Sequence, residues 1–378
     1  MIALYKVFND GACEAAALSV LRSGQVASGP AVEQFRQGVG RMLGNERVVT
    51  TDNMSSAMTL ALRLAGVGEG DEVLCSPFAC MATNSPIAHA GARPVWVDID
   101  PRSAVPMIDS ALAAITPRSK AIIIYHFAGF PAWNEPLVQA CRKRGIAVIE
   151  DCDNALGATV DGRPAGSLGD YAVLSFSPIR QLSCIEGGAL VCRTEDDFQR
   201  ALRLKRFGYH PVMFRDASGE INEAEDVAEI GWSAGLNNLC SAIGAAQLPT
   251  YAQRLAQARR HVAMLREALA GLAGIEPMHA QPGCEPAPWV LPLLAQRRDA
   301  LLAWLKSNGI AASKMHYRND RYSGFSAASR DLPGVSAFSA RMLGIPCGWW
   351  LDPQQLQFII ERLHAFVAQG ISEGDIHE

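Results

Sequence analysis

Three carboxylates stand at the ends of short β-branched runs: Asp98 closes Pro94 to Asp98, and Glu150 and Asp151 close Ala147 to Asp151 in the stretch AVIEDCDNALGA. A carboxylate in such a place can serve as acid, base or counter-ion, and it can equally cap the turn that follows. Thr50, Thr51, Asp52 and Asn53 lead into a helix beginning near Ser55. Free N–H groups there favour a phosphate, although ordinary capping accounts for the same residues. His316, Arg318, Asn319, Asp320 and Arg321 form a dense polar group, whose arginines are able to clasp a phosphate or carboxylate in bidentate fashion or to lie in a solvated loop. The ten cysteines are scattered, with neither a CxxC pair nor a Cys/His cluster. No metal site is expected, and a reducing compartment fits.

The elements that must hold these groups alternate. A helix over Glu14 to Arg22 is followed by a second, whose Val32, Phe35, Val39 and Leu43 recur at the spacing of one buried face. Strand-like runs then come at Arg47 to Thr50, Glu72 to Cys75, Pro94 to Asp98, Ala121 to Phe127, Ala147 to Asp151, Tyr171 to Ser177 and Ala189 to Cys192, separated by helices or turns. Parallel strands need crossovers, so the fold class is α/β, with a mostly parallel sheet covered on both faces and ligands at the carboxyl ends of its strands. Leu236 to Leu272 reads as helix, broken or kinked at Pro249, leading out of a large domain (1–248) into a smaller one (249–378). The smaller unit is expected to hold strands near Trp289 to Leu294 and Ile310 to Tyr317, a helix near Arg298 to Ser307 and a last helix over Pro353 to Ala368. Tyr209 to Asp226, polar and acidic, is a surface loop or a lid.

The chain has 378 residues, with 34 Lys and Arg against 38 Asp and Glu, a net charge of −4, and 49% hydrophobic residues. That size suits two packed domains, and that charge offers no basic face for nucleic acid. No run of about 18 apolar residues is present for a membrane span, and MIALYKVFND has no long apolar core. A cytoplasmic protein with a small-molecule substrate is the expectation.

Seven segments in order, GPAVEQFRQGVGRML, LRLAGVGEGDEVLCSPFACMAT, AGARPVWVDID, HFAGFPA, AVIEDCDNALGATVDGRPAGSLGD, LSFSPIRQLSCIEGGALV and EIGWSAGLNNLCSAIGAAQL, resemble the DegT/DnrJ/EryC1/StrS family nearly end to end. HYRNDRYSGF, LPGV and IPCGWW resemble the small domain of one branch of it. The resemblance implies an aspartate-aminotransferase-like fold (fold type I) with a seven-strand-type large sheet plus a smaller α+β domain. It also implies sugar aminotransferase chemistry with pyridoxal phosphate (PLP), and a homodimer whose sites form at the interface.

Four positions depart from the family pattern. Arg180 stands where the family's SFHxxKxxxxxEGG carries the Schiff-base lysine; a guanidinium keeps its proton and cannot act as that amine nucleophile. Cys80 replaces the aromatic residue that stacks on the cofactor ring, and Met54 the glycine of the phosphate-cradling SGT beside Ser55. Ser233 and Gly235 replace the asparagine and arginine of GYNYR, the asparagine being the residue that reaches the neighbouring subunit's phosphate. The resemblance keeps Asp151 for the ring nitrogen, Asn154 facing the ring, Ser175 on the phosphate, and Glu186, Gly187 and Gly188. An Asp151–Arg180 ion pair would explain both residues without any cofactor. Cys80, Cys152 and Cys184 fall on segments that line the family's pocket, each a nucleophile or a small apolar filler. His126 matches a strand-end position, either orienting its neighbours or structural. Candidate catalytic residues are therefore Arg180, Asp151, His126 and Cys80; candidate cofactor-binding residues are Met54, Ser55, Cys80, Asp151, Asn154, Ser175 and Ser233.

Three functions fit this pattern. The first is a repurposed biosynthetic enzyme of nucleotide-sugar or secondary metabolism, using PLP or its amine form PMP without a covalent link, or no cofactor. The second is a non-catalytic partner in a mixed dimer with a lysine-bearing homologue, and the third a binding protein that uses the old pocket.

Overall fold

The computed structural model describes residues 1–325 and 327–370. All seven expected runs become strands of one sheet: β1 (Val48–Thr51), β2 (Glu72–Cys75), β3 (Arg93–Trp96), β4 (Ser119–Tyr125), β5 (Ala147–Asp151), then, past the two-residue strands β6 (Thr159–Val160) and β7 (Arg163–Pro164), β8 (Tyr171–Ser175) and β9 (Gly188–Cys192). Their order is β1-β9-β8-β5-β4-β2-β3. The β3-β2-β4-β5-β8 pairings are parallel, and β9 runs antiparallel to both β8 and β1. The β1, β5, β8 and β9 runs are short and almost wholly buried because both faces are covered. Helices Pro30–Leu43 and Asn238–Ala268 seal one core, around Phe35, Leu43, Leu174 and Tyr251. Helix Glu135–Arg142 lies over another, around Ile122, Ile124, Leu137 and Val148.

The small unit is built on an antiparallel sheet of β10 (Ile275–Pro277), β12 (Leu291–Ala295) and β13 (Met342–Ile345), while β11 (Cys284–Glu285) joins β6 and β7. Ile310 to Tyr317, expected as a strand, makes only isolated bridges, from Ile310 to Ile2 and from Ser313 to Gly344. Met315 takes φ 61° and breaks the extended run. Pro249 does not interrupt the helix Asn238–Ala268, which carries the chain across the 248/249 position in 31 residues. Tyr209 to Asp226 folds on itself, with Tyr209 packed against Phe214 at 4.4 Å and most side chains exposed.

Candidate functional site

β4 and β5 pair in register, so Tyr125 and Asp151 finish side by side at the carboxyl ends of their strands. Successive strand residues face opposite ways, and this separates the two neighbouring carboxylates. Asp151 is fully buried and accepts from the Thr83 hydroxyl at 2.6 Å and from the Asp153 N–H at 3.0 Å. Glu150, on the other face, accepts from the N–H groups of Gly166, Leu168 and Gly169 at 2.9, 2.7 and 2.7 Å.

Glu150 also takes His126 out of the site. Ala132 N–H donates to His126 Nδ1 at 2.9 Å, so Nε2 carries the proton and donates to Glu150 at 3.1 Å. Both ring nitrogens are spent in a fully buried network. His126 is structural, a correction to its place among the catalytic candidates. Glu150 and Cys152 lie beside it, and the Glu150 carboxylate is already occupied by three backbone N–H groups and His126.

Arg180 comes from the loop between β8 and β9, and that loop is held from three sides. Gln181 Nε2 donates to the carbonyls of Asn154 and Ala287 at 3.0 and 2.9 Å, Gln247 bonds both backbone groups of Ser183, and Trp289 Nε1 donates to Ile179 O at 2.7 Å. The guanidinium is thereby aimed inward. It donates to Asn154 Oδ1 at 2.6 Å and pairs with Asp153 at 2.8 Å, and it lies 4.8 Å from the centre of the Trp289 ring. The expected Asp151–Arg180 pair does not form, because Asp153 and Asn154 take the donors first. Arg180 Nε is buried and without a hydrogen-bond partner.

Burial and the adjacent Asp153 charge push the Asp151 carboxyl up to about 7, against the pull of Thr83, a backbone N–H and Arg180. Asp153 is also raised by burial, with Arg180 opposing. Ser175, the expected phosphate ligand, ends β8 beside this pair, and its hydroxyl oxygen faces the Ser177 N–H at 3.4 Å. Burial, then Asp153, raises the Cys80 thiol, and burial raises Cys152 and Cys184 well above the ordinary thiol value. Burial thus favours the thiol over the thiolate at all three, Cys80 included.

Cys80 stands at the N-terminal boundary of the helix Met81–His89, beside Asp151 and Arg180, as expected of a residue lining the site. Met54 opens the helix Met54–Leu64 with its side chain in the core; Asn53 caps that helix by accepting from Ser56 N–H at 2.9 Å, and Ser55 is half-buried in the first turn. Gly188 packs so close that a Cβ would lie 2.5 Å from Asn53 O. Ser233 is exposed, its backbone bridged to Arg206. Asp98 is elsewhere: its carboxylate accepts from Gly334 and Val335 N–H, capping the helix Pro333–Arg341. Arg318 is bound by Asp320 and Ser336, and Asn319 ties to Pro77 and Ala79, so Arg318 braces the small unit and does not clasp an anion.

Tyr125, Thr83 and Trp289 belong to the site and were not singled out by sequence; His316, noted only within a polar group of the small unit, belongs to it as well. Tyr125 Oη and His316 Nε2 lie 3.1 Å apart, among Phe78 and Phe127. Burial, with Arg180 nearby, lowers His316 to about 4, so the ring is neutral at pH 7. The parallel register of β4 with β5 was the available signal for Tyr125; Trp289 arrives from a distant segment without one.

Two lysines approach this region. Lys205 Nζ donates to Thr50 O on β1, three strands from β5 and so about 14 Å away at about 4.8 Å per strand. Lys6 shares with Arg180, Trp289 and Trp350 a crevice of about 20 Å³, room for one water.

A family model, the DegT/DnrJ/EryC1/StrS aminotransferase family, matches residues 9–364. The chain belongs to that family. Among solved structures, the sugar aminotransferase CalS13 from Micromonospora echinospora is 33% identical, with 97% of this chain and 100% of that chain covered at a TM-score of 0.89. AtS13 from Actinomadura melliaura is also 33% identical, over 97% and 98%, at 0.91. The aminotransferase TlmJ from Streptoalloteichus hindustanus is 26% identical, over 98% and 99%, at 0.90. The fold is therefore the fold type I aminotransferase fold, and PLP is the family's cofactor. This DegT-family chain fits such a ring at one end: Asp151 is a buried carboxylate with no cation of its own, which a protonated ring nitrogen would satisfy. At the other end Arg180 offers a guanidinium already engaged by Asp153. Among the described residues no helix is long and apolar enough to cross a membrane.

Proposed function

We propose that this DegT-family protein is a biosynthetic enzyme acting on a small sugar-type substrate, cytoplasmic and homodimeric, with a large domain (1–248) and a small one (249–378). In this reading it has left lysine-dependent transamination and holds PLP or PMP without a covalent bond. What carries the reading is the Arg180 clamp: a permanently charged side chain, fixed by Asp153, Asn154 and Trp289, at the position where the family pattern has its lysine. Asp151 would hold the ring nitrogen, and Ser55 with the first turn of Met54–Leu64 the phosphate. When bound, the cofactor supplies an electron sink. The protein's own part is to fix charge and water: Asp153 and Asn154 anchor the guanidinium, and Tyr125 with neutral His316 offers a hydroxyl and a ring nitrogen for binding substrate polar groups.

Absorbance titration of the purified protein with PLP tests the proposal. A visible band, with no cofactor absorbance left on the protein after borohydride reduction and dialysis, is the expected result. Reduced cofactor that stays on the protein through denaturing dialysis overturns it, and Lys6→Met and Lys205→Met variants then show which amine was responsible. Absence of any band removes the cofactor part and leaves the loss of transamination, which is checked separately by assaying amino-group transfer.

A further inference from the structure

The opposite end of the same sheet carries a second polar cavity. β8 runs from Tyr171 at that end to Ser175 at the site, and β9 runs back from Gly188 to Cys192. Four residue steps of about 3.3 Å each put the two ends about 13 Å apart. The cavity, about 270 Å³, is lined by Arg47, Arg142, Arg163 and Arg193 around the 166–170 loop and the start of β8, with Asp170 as the carboxylate on its wall. That volume is ample for a phosphate or pyrophosphate group.

The arginine donors are largely unspent. Arg193 pairs with Asp170 at 2.9 Å through one nitrogen, and Arg142 gives one bond to Leu168 O at 2.7 Å and stands 3.9 Å from Asp170. Arg142 Nε is shielded from solvent with no partner. Arg47 makes one long bond of 3.4 Å to Cys192 O, and Arg163 is exposed, with Glu135 the acid that senses it. Asp170 itself is occupied by Val148 N–H and Arg193. The loop forming the wall is rigid, since its N–H groups at Gly166, Leu168 and Gly169 are held by Glu150. Four guanidinium forks on a preformed wall suit a group with two negative charges and three or more oxygens better than a single carboxylate. Like charges held this close are eased by such an anion.

We infer that this cavity binds a small phosphate-bearing molecule, separately from the strand-end site. Calorimetric titration with pyrophosphate is the test, on wild type, Arg163→Glu and Ser55→Asp, the last placing a negative charge on the alternative anion site at the start of Met54–Leu64. Wild type is expected to bind with a Kd below about 1 mM, weakening as salt rises. Arg163→Glu, which breaks no hydrogen bond of the fold, should weaken binding at least tenfold, about the loss of one charge-assisted contact. Ser55→Asp should leave it within about twofold, because the two places are about 13 Å apart. No binding by wild type, or a loss in Ser55→Asp with none in Arg163→Glu, overturns the inference.

Discussion

Arg180 and Asp153 act as one unit, and the consequence can be measured. Removing one member of a buried ion pair strands the other, at a cost of about 3–5 kcal/mol, whereas removing both leaves no uncompensated charge. Arg180→Ala should therefore lower stability by about that much in urea, and Arg180→Ala with Asp153→Ala should recover more than half of it. Additive losses would mean that the pair is not coupled. Asp151 behaves differently because it has no cation. Its carboxyl is raised from 3.8 to about 7, so the folded chain holds the proton more tightly than the unfolded one does. The associated stability is full below about pH 4 and is lost as pH rises through 7. Asp151→Asn, which cannot ionise, should match wild type near pH 4 and exceed it by roughly 2–4 kcal/mol at pH 8. An equal difference at both pH values would refute the assignment.

At the scale of elements, Asp98, Glu150 and Asp151 looked alike as strand-end carboxylates, and the fold gave each a different task. The seven strands and their flanking helices were legible because apolar runs and helical spacing are local signals. Glu150 and Asp151 could have been told apart by strand alternation alone, since one step along β5 changes face. Asp98 could not, because the N–H groups it caps belong to Gly334 and Val335, 236 and 237 positions along the chain. Arg180 could be singled out from the sequence, but its partners could not. Asp153 sits among several acids in sequence, and Trp289 is brought in by the small unit. Asp98→Ala should expose two unpaired N–H groups at the start of Pro333–Arg341 and cost about 1–2 kcal/mol. Hydrogen exchange should quicken at Gly334 and Val335 first; unchanged protection there would show that the cap is not what orders this turn.

For the molecule as a whole, the site depends on the two units unfolding together. The largest apolar core runs from Val49, Ile123 and Val173 of the large sheet to Leu293, Phe338 and Leu363 of the small unit without a break. Polar contacts cross the same boundary: Asp98 to Gly334, Asn319 to Pro77 and Ala79, Trp289 to Ala128 and Ile179, Ala287 to Gly129, and Trp350 to Ala3. Gly129 is placed where any Cβ would collide with the Ala287 carbonyl, so the approach admits no spacer. A chain of this length commonly unfolds domain by domain, and separate transitions are the default. Here the shared core makes exposing either unit alone strand apolar surface on the other, at about 25 cal/mol per Å². Urea unfolding followed by near-UV and far-UV circular dichroism should thus give coincident curves. Asn319→Ala, which cuts one buried bridge, should shift both midpoints together; a split into two transitions would show that the units hold together more weakly than either holds itself.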